Sequence, residues 1–449
     1  MLPDDALLAI FDFYVVRIPP KETDIEAWVS LVHVCRRWRC VVFGSPRRLN
    51  LRLVCAPGTP ARETLDVWPA LPLVIEGTIS STSADNIVVA PGYMDRVCRI
   101  DLRINGRLQC YKVLAAMQAP FPALTHLLLR CHDNPPAVIP DTFLGGSAPR
   151  LEYLRVECIP FPGIPKILSS ATHLVDLCLI YIPPSGYISP EAMVTCLSVL
   201  TSLDTFTLSF LSSQSRPESR RPPPMTRSLL PDLTRLYFEG AGEYLDDLVA
   251  RIDAPRLGDL SMNFLQRGNF DTPHIVQFIS RTPRFREPSE ARVELDFESA
   301  VVGLILPSGD WLVEIICHHT SDQYLSSVAQ VCALCLPPFP TLENLRFEVF
   351  SEDLFFEWDR KDEVENNQWL GLLRPFTAVK NLYLSKEVQP NMASALRELV
   401  GGRTTEVLPS LQNIFLARSE ASGPFQEAIR QFVAARQLSG HPIAISVGG

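Results

Sequence analysis

PRLEYLRV, residues 149–156, carries a proline, a leucine two places on, a second leucine three places later and a valine two beyond that. The same frame recurs as PALTHLLL (122–129), PDLTRLYF (231–238), PRLGDLSM (255–262), PTLENLRF (340–347) and PSLQNIFL (409–416). Threonine replaces proline in THLVDLCL (172–179), TSLDTFTL (201–208) and TAVKNLYL (377–384), and VCRIDL (97–102) is a weaker copy. Two apolar residues separated by one position point the same way from a strand. A proline just ahead of the first leucine ends a preceding helix and leaves no N–H to satisfy. Stretches between the copies, such as RLQCYKVLAAMQ (107–118) and PEAMVTCLSVL (190–200), have helical apolar spacing.

The frame begins at 97, 124, 151, 174, 203, 233 and 257, and again at 342, 379 and 411. One strand plus a helical return every ~20–29 residues is the pattern of a leucine-rich repeat, which this chain resembles. The fold class expected is therefore α/β, a solenoid over 97–449 with a parallel sheet on its concave face and about 10–12 coils. The interval between 257 and 342 has room for two degenerate copies, EARVELDF (290–297) and DWLVEIIC (310–317). Regular members of the family carry Asn or Cys three residues beyond the third leucine. Here those places hold His132, Ile159 and Leu265, so no internal asparagine ladder is expected.

Strand alternation also names the solvent side. Tyr153, Arg155, Arg235, Tyr237, Arg346 and Tyr383 flank the inward pairs and are expected together on the concave face. Tyrosine and arginine dominate protein–protein hot spots. A protein substrate is the partner expected there.

Residues 1–50 read differently. Pro3, Asp4 and Asp5 open a first helix, with acids at the positive end of its dipole. Leu7, Ile10, Phe11 and Tyr14 follow at helical spacing. Thr23-Asp24-Ile25-Glu26 is a capping box for a second helix, which carries Trp28, Leu31, Val32 and Cys35. A third short helix carries Trp38, Val41 and Val42. The order Leu2-Pro3, Leu7, Ile10-Phe11, then Val34-Cys35 and Trp38, resembles an F-box. Such a module docks on the small adaptor of SCF-type cullin-RING ubiquitin ligases. The resemblance implies adaptor contact through Leu2, Pro3, Leu7, Ile10, Phe11, Leu31, Val34, Cys35 and Trp38. Val34, Cys35 and Trp38 are expected to pack inward, and Arg36, Arg37 and Arg39 to form a solvated face. Where the family often ends in Leu-Trp, this chain has Leu49-Asn50. Residues 51–96 are expected to connect the module to the solenoid. F-box proteins with leucine-rich repeats select substrates for ubiquitination, and that is the function the combination implies.

Bulk composition agrees. The 449 residues are 47% apolar and 20% charged, enough for a large core. A net charge of −9 argues against a phosphate-backbone binder, so no nucleic acid is expected. No apolar run approaches the ~20 residues that span a bilayer, and no membrane is expected. MLPDDALLAIF places two aspartates where a secretory signal carries positive charge. The twelve scattered cysteines are therefore read as reduced, in cytoplasm or nucleus. Proline is enriched, 39 residues against a usual ~5%, but many of the 39 mark the repeat.

Catalytic signals are thin. Cys332 and Cys335 form a C-x-x-C with Cys317, His318 and His319 upstream, but VAQVCALCL is an apolar helix pattern and no second pair has zinc spacing. Glu239-Gly-Ala-Gly242 lacks the third glycine of a dinucleotide fingerprint. No enzyme, metal or cofactor is expected. Two segments interrupt the repeat: SSQSRPESRRPPPMTRS (212–228), read as a basic insertion, and SEDLFFEWDRKDEVENNQW (351–369), read as a solvated helix with one buried side.

Overall fold

Prolines of the repeat occupy the second position of a tight turn. The amide of Leu124 donates to the Phe121 carbonyl at 3.1 Å, Leu151 to Ala148 at 3.1 Å, Leu257 to Ala254 at 3.2 Å and Leu411 to Leu408 at 3.0 Å. Pro122, Pro149, Pro255 and Pro409 stand just after those carbonyls, where a fixed φ favours the turn and no N–H is used. The threonine copies close the same turn, Leu174 to Ala171 and Leu203 to Leu200. The first leucine then drops into the core. Leu124, Leu151, Leu174, Leu203, Leu233 and Leu257 are at most 1% exposed. Each fully buried leucine contributes roughly 2 kcal/mol of apolar transfer.

The computed structural model describes residues 2–17, 27–46, 48–49, 51–56, 65, 69–80, 93–131, 137–161, 164–212, 226–265, 272–286, 288–296, 299–318, 324–334, 336, 341–349, 363–400, 403–417 and 424–447. They fall into two units, Met1–Ile188 and Ser189–Gly449.

In the first unit, the strands are β1 (Leu53–Cys55), β2 (Leu73–Ile79), β3 (Val97–Ile104), β4 (His126–Cys131), β5 (Tyr153–Glu157) and β6 (Asp176–Ile182). They lie in chain order and every neighbouring pair is parallel. β1 and β2 come from the segment expected only to connect, so the sheet begins inside 51–96. Ahead of them stand helices α1 (Asp4–Arg17), α2 (Ala27–Val34) and α3 (Arg36–Gly44). The capping box at 23–26 lies outside the described residues.

In the second unit, the sheet strands are β7 (Thr205–Phe210), β9 (Arg235–Gly240), β11 (Asp259–Phe264), β12 (Glu290–Leu295), β13 (Ser299–Ile305), β14 (Trp311–His318), β15 (Asn344–Val349), β16 (Asn381–Leu384), β17 (Asn413–Leu416) and β18 (Ala444–Val447). Two short strands, β8 (Ser228–Leu229) and β10 (Ile252–Asp253), form a separate parallel pair. β7, β9 and β11 are parallel neighbours, and β12 and β14 through β18 run in the same sense, with β13 antiparallel to both of its neighbours. Every copy of the repeat frame thus ends in a strand, and the chain is a mixed α/β fold dominated by parallel pairing. The helices expected over 107–118 and 190–200 are Arg107–Ala116 and Pro190–Leu197.

The two degenerate coils expected between 257 and 342 are not coils. The order there is β11-β14-β13-β12-β15: the chain passes from β11 to β12, turns back along antiparallel β13, and turns again into β14 beside β11. EARVELDF and DWLVEIIC do supply strands parallel to the repeat, but a third strand lies between them and their order is reversed. The turn from β13 to β14 is Leu306-Pro-Ser-Gly-Asp310, closed by Gly309 N–H to Leu306 at 2.9 Å and Leu306 N–H to Asp310 at 3.0 Å. Gly309 there has φ +92°, a region that favours glycine.

Two arginines tie later coils together, one half-buried and one fully buried. Arg281, on helix Pro273–Arg281, reaches Asp253 Oδ1 at 2.7 Å and the carbonyls of Val249 and Ile252. Arg436, on helix Pro424–Leu438, is fully buried and donates to the carbonyls of Thr404, Leu411, Pro409 and Leu408 at 3.0 to 3.5 Å. Of the two interrupting segments, 213–225 and 351–362 lie outside the described residues. Trp369, from the end of the second, is buried with its ring 5.9 Å from Phe347.

Candidate protein-interaction surfaces

The three-helix module has a small closed core and a leftover apolar exterior. Leu7, Phe11, Trp28, Leu31 and Val32 are buried, and Trp38 stands 4.8 Å from the Phe11 ring. Leu7, Phe11 and Leu31, expected as contact residues, are therefore interior. Ile10 and Tyr14, expected on the same face as Leu7 and Phe11, point away from it. Ile10 is 49% exposed, Phe13 59%, Leu2 54% and Val34 58%. Val34 and Cys35 do not pack inward as expected. Cys35 is exposed and its Sγ accepts the Trp38 N–H, capping α3. Arg36 and Arg39 are exposed and Arg37 half-buried, so the arginines do face solvent as expected, and two of them also tie the module together. Arg37 pairs with Asp4 at 2.7 Å, Arg39 donates to the Val32 carbonyl, and farther on Arg48 pairs with Asp12 at 3.0 Å. A core too small to hold three helices by burial alone is thus laced at its rim. Trp28 Nε1 donates to the Arg52 carbonyl just ahead of β1.

On the first unit's sheet, outward residues align across strands. Arg99, His126, Tyr153 and Asp176 share one register row, and Asp101, Leu128, Arg155 and Cys178 the next. His126 stacks on Tyr153 with centroids 6.0 Å apart. Burial, and then the Arg99 charge, hold the His126 imidazole below its usual pKa. Arg130 and Arg155 share the Glu157 carboxylate at 3.6 and 3.4 Å. Tyr153 and Arg155 therefore lie where the strand alternation places them, each engaged with neighbours.

On the second unit's sheet, one row runs Tyr237, Ser261, Glu314, Gly303, Arg292, Arg346, Tyr383 and Phe415. Tyr237, Arg346 and Tyr383 do share a row, but the reversed strands separate the first two by five intervals, roughly 24 Å at ~4.8 Å each. Arg235 lies one outward position earlier on β9 and pairs with Asp204 at 3.3 Å. From Gly303 onward the row is a continuous stack. The Trp311 ring lies over Gly303, where a Cβ would stand 2.1 Å from Cζ3. Arg292 stands 5.9 Å from the Trp311 ring and Arg346 4.6 Å from the Tyr383 ring. Tyr383 and Phe415 stack at 4.5 Å, 9° from parallel. Glu290 bridges Arg292 at 2.9 Å and Arg346 at 3.1 Å.

Beside this row runs a second ladder. Asn413 Nδ2 donates to Asn381 Oδ1 at 2.7 Å, Asn381 Nδ2 to Asn344 Oδ1 at 2.9 Å, and Asn344 Nδ2 to the Ser289 carbonyl at 2.9 Å. This asparagine ladder is a different one from the internal ladder of regular repeats: it stands at the first outward position of β15, β16 and β17.

No protein-family model matches the chain. No curated protein matches it. Among solved structures it is similar to the leucine-rich repeat-containing protein LegL7 from Legionella pneumophila, at 13% identity over 85% of this chain and 97% of that one. The TM-score is 0.28, too low to carry an argument, and the repeat rests on this chain's own strands.

Sequence reasoning missed Arg292, Trp311 and Phe415. The signal for Phe415 was present: PSLQNIFL places it in the slot that Tyr383 fills in TAVKNLYL. Arg292 and Trp311 sit in strands whose partners are set by the reversal.

Proposed function

We propose that this chain is a protein-interaction receptor, a repeat sheet that holds a protein partner fused to a helical module that docks on an SCF-type adaptor. The observation that carries this reading is the exposed apolar surface of Leu2, Ile10, Phe13 and Val34 on a module whose own core is already closed around Phe11. Ile10 and Phe13 are three residues apart on α1 and so lie on neighbouring turns of one helix, and large apolar side chains left exposed in this way are available to a partner. Pro3 and Ile10 stand in the F-box pattern and are exposed, as adaptor contact requires. In this reading the protein supplies proximity rather than bond chemistry, raising the effective concentration of a substrate's lysines near a ubiquitin-charged enzyme. It would act in cytoplasm or nucleus, where such ligases work.

A narrower reading, an interaction scaffold with no ligase role, has one observation in its favour. Leu7, Phe11 and Leu31 of the F-box pattern are interior, and the Trp28 bond to Arg52 suits a module that caps the end of the sheet. Co-expression with the SCF adaptor separates the two. The F-box reading expects stoichiometric co-purification, lost in Pro3→Ala/Ile10→Ala while the sheet keeps its thermal transition. A wild-type chain that leaves the adaptor behind refutes it.

A further inference from the structure

We infer that the outward face of the second unit's sheet, along the stack from Trp311 to Phe415, docks an extended basic segment of a partner protein. The inference rests on the reading that the sheet is the partner-binding face, and names the class of partner. Six carboxylates stand at outward strand positions or beside them: Glu239, Asp259, Glu290, Glu294, Glu314 and Glu348. Against them stand three arginines, each already committed. Arg235 pairs with Asp204, Arg292 with Glu290 and Glu294, and Arg346 with Glu290 and Glu348. Among the described residues, Asp259 and Glu314 make no ion pair; Glu314 accepts only the Ser261 hydroxyl, at 2.7 Å. Burial, and then the Glu314 charge, raise the Asp259 pKa. Burial also raises that of Glu294, with the charges of Glu348 and Glu314 adding to it. These carboxylates repel one another, and an incoming cation relieves that repulsion.

The rings supply the other half of the site. Trp311, Tyr383 and Phe415 are half-buried, so part of each remains accessible to solvent. Lysine and arginine pack their stems on such rings while their cations reach carboxylates nearby. The stretch from Gly303 to Phe415 covers four strand intervals, roughly 19 Å, which an extended segment of about six residues spans. The site is held in place before binding. Gly303 seats Trp311, and the asparagine ladder fixes β15 to β17. The first unit's sheet offers no such bias: Arg99, Arg103, Arg130 and Arg155 there face Glu76, Asp101, Glu157 and Asp176.

The test uses the full chain and fluorescence anisotropy with two labelled peptides, one alternating lysine and arginine with leucine, the other carrying glutamate at the basic positions. The basic peptide is expected to bind, more weakly as salt rises, and the acidic one not to bind. Glu314→Gln/Glu348→Gln is expected to weaken capture by about tenfold. Glu76→Gln on the other sheet is expected to leave it unchanged. Tyr383→Leu/Phe415→Leu, which keeps apolar volume but removes the ring faces, is expected to weaken it several-fold. This second variant keeps the test decisive if the glutamine variant loses its near-UV circular dichroism. Equal or better capture of the acidic peptide, or wild-type capture of the basic one by both variants, overturns the inference. Adaptor co-purification is read on the same preparations. Adaptor bound with no basic peptide captured refutes this inference alone, and the converse refutes only the ligase assignment.

Discussion

Replacing Arg436 with methionine tests how the last coils are held. The guanidinium is fully buried, has no carboxylate partner among the described residues, and gives its protons to four carbonyls of the 404–411 loop. One of those carbonyls belongs to Leu408, whose φ of 46° is uncommon for a non-glycine residue and is held in place by its surroundings. Burial lowers the Arg436 pKa, so the cation itself is desolvated. Methionine keeps most of the stem but removes the donors, although the Leu408 carbonyl still accepts the Leu411 amide. Each orphaned buried acceptor costs about 1–3 kcal/mol, and at least the two shortest bonds, to Thr404 and Leu411, are fully lost. Relief of the buried charge offsets part of this, leaving a net loss of about 3 kcal/mol. Arg436→Lys, whose ammonium cannot span the four acceptors, is expected to lose about half as much. Amide hydrogen exchange across 403–417 and the 424–438 helix reads the effect locally. A loss of about 3 kcal/mol speeds exchange roughly a hundredfold where opening is local. Exchange within about threefold of wild type in both variants would refute the reasoning and show that desolvation cancels the hydrogen bonds.

Gly303→Ala places a Cβ 2.1 Å from the Trp311 ring and 2.7 Å from the Val313 carbonyl; a loss of about 1–3 kcal/mol in thermal stability and a red-shifted tryptophan emission are expected. Asn381→Ala breaks both Asn–Asn bonds of the ladder, about 1 kcal/mol each; adding Asn413→Ala should cost little more, which a double-mutant cycle in urea measures. Asp259 and Glu294 have raised folded-state pKa values, so the folded protein holds more protons than the unfolded one as pH rises past about 4. Stability is then greatest below that point and falls as pH climbs through the raised values; Asp259→Asn/Glu294→Gln should flatten this limb of the urea-midpoint profile. The buried Cys196 thiol, its pKa pushed up to about 11 by burial, should resist iodoacetamide while exposed Cys35 and Cys40 react first in a mass-spectrometric time course.

What could be read from the sequence was whatever is enforced locally. The Pro-x-Leu turn and the alternation after it need only a few neighbouring residues, so every copy of the frame ends in a strand. The solvent-facing positions followed from the same alternation, and Tyr153, Arg155, Tyr237, Arg346 and Tyr383 all lie on it. Partner choice is not local. EARVELDF and DWLVEIIC alternate like any repeat strand, and only the turn Leu306-Pro-Ser-Gly-Asp310 marks the hairpin that reverses them; that signal is legible. The split of α1, with Phe11 inside and Ile10 outside, depends on which helices pack on it. The interior place of Arg436 was illegible for another reason: a buried arginine looks like a surface one until its carbonyl acceptors are known.

The reversed strands change how this sheet can assemble. A repeat array folds by adding each strand to one made some 25 residues earlier, so growth spreads outward from any nucleus. At β11 that rule breaks, because Leu260 pairs with Val313, and across β12 it breaks again, because Glu290 pairs with Asn344. The three strands between are joined by short turns and zip up on their own, as hairpins do within microseconds. In the native sheet the three strands form one block with one edge on β11 and the other on β15, so a block formed first could dock on both. The block is a splice between two growing arrays. A nascent chain released before residue 318 would leave β11 with a bare edge, and chaperones or proteases would find it there.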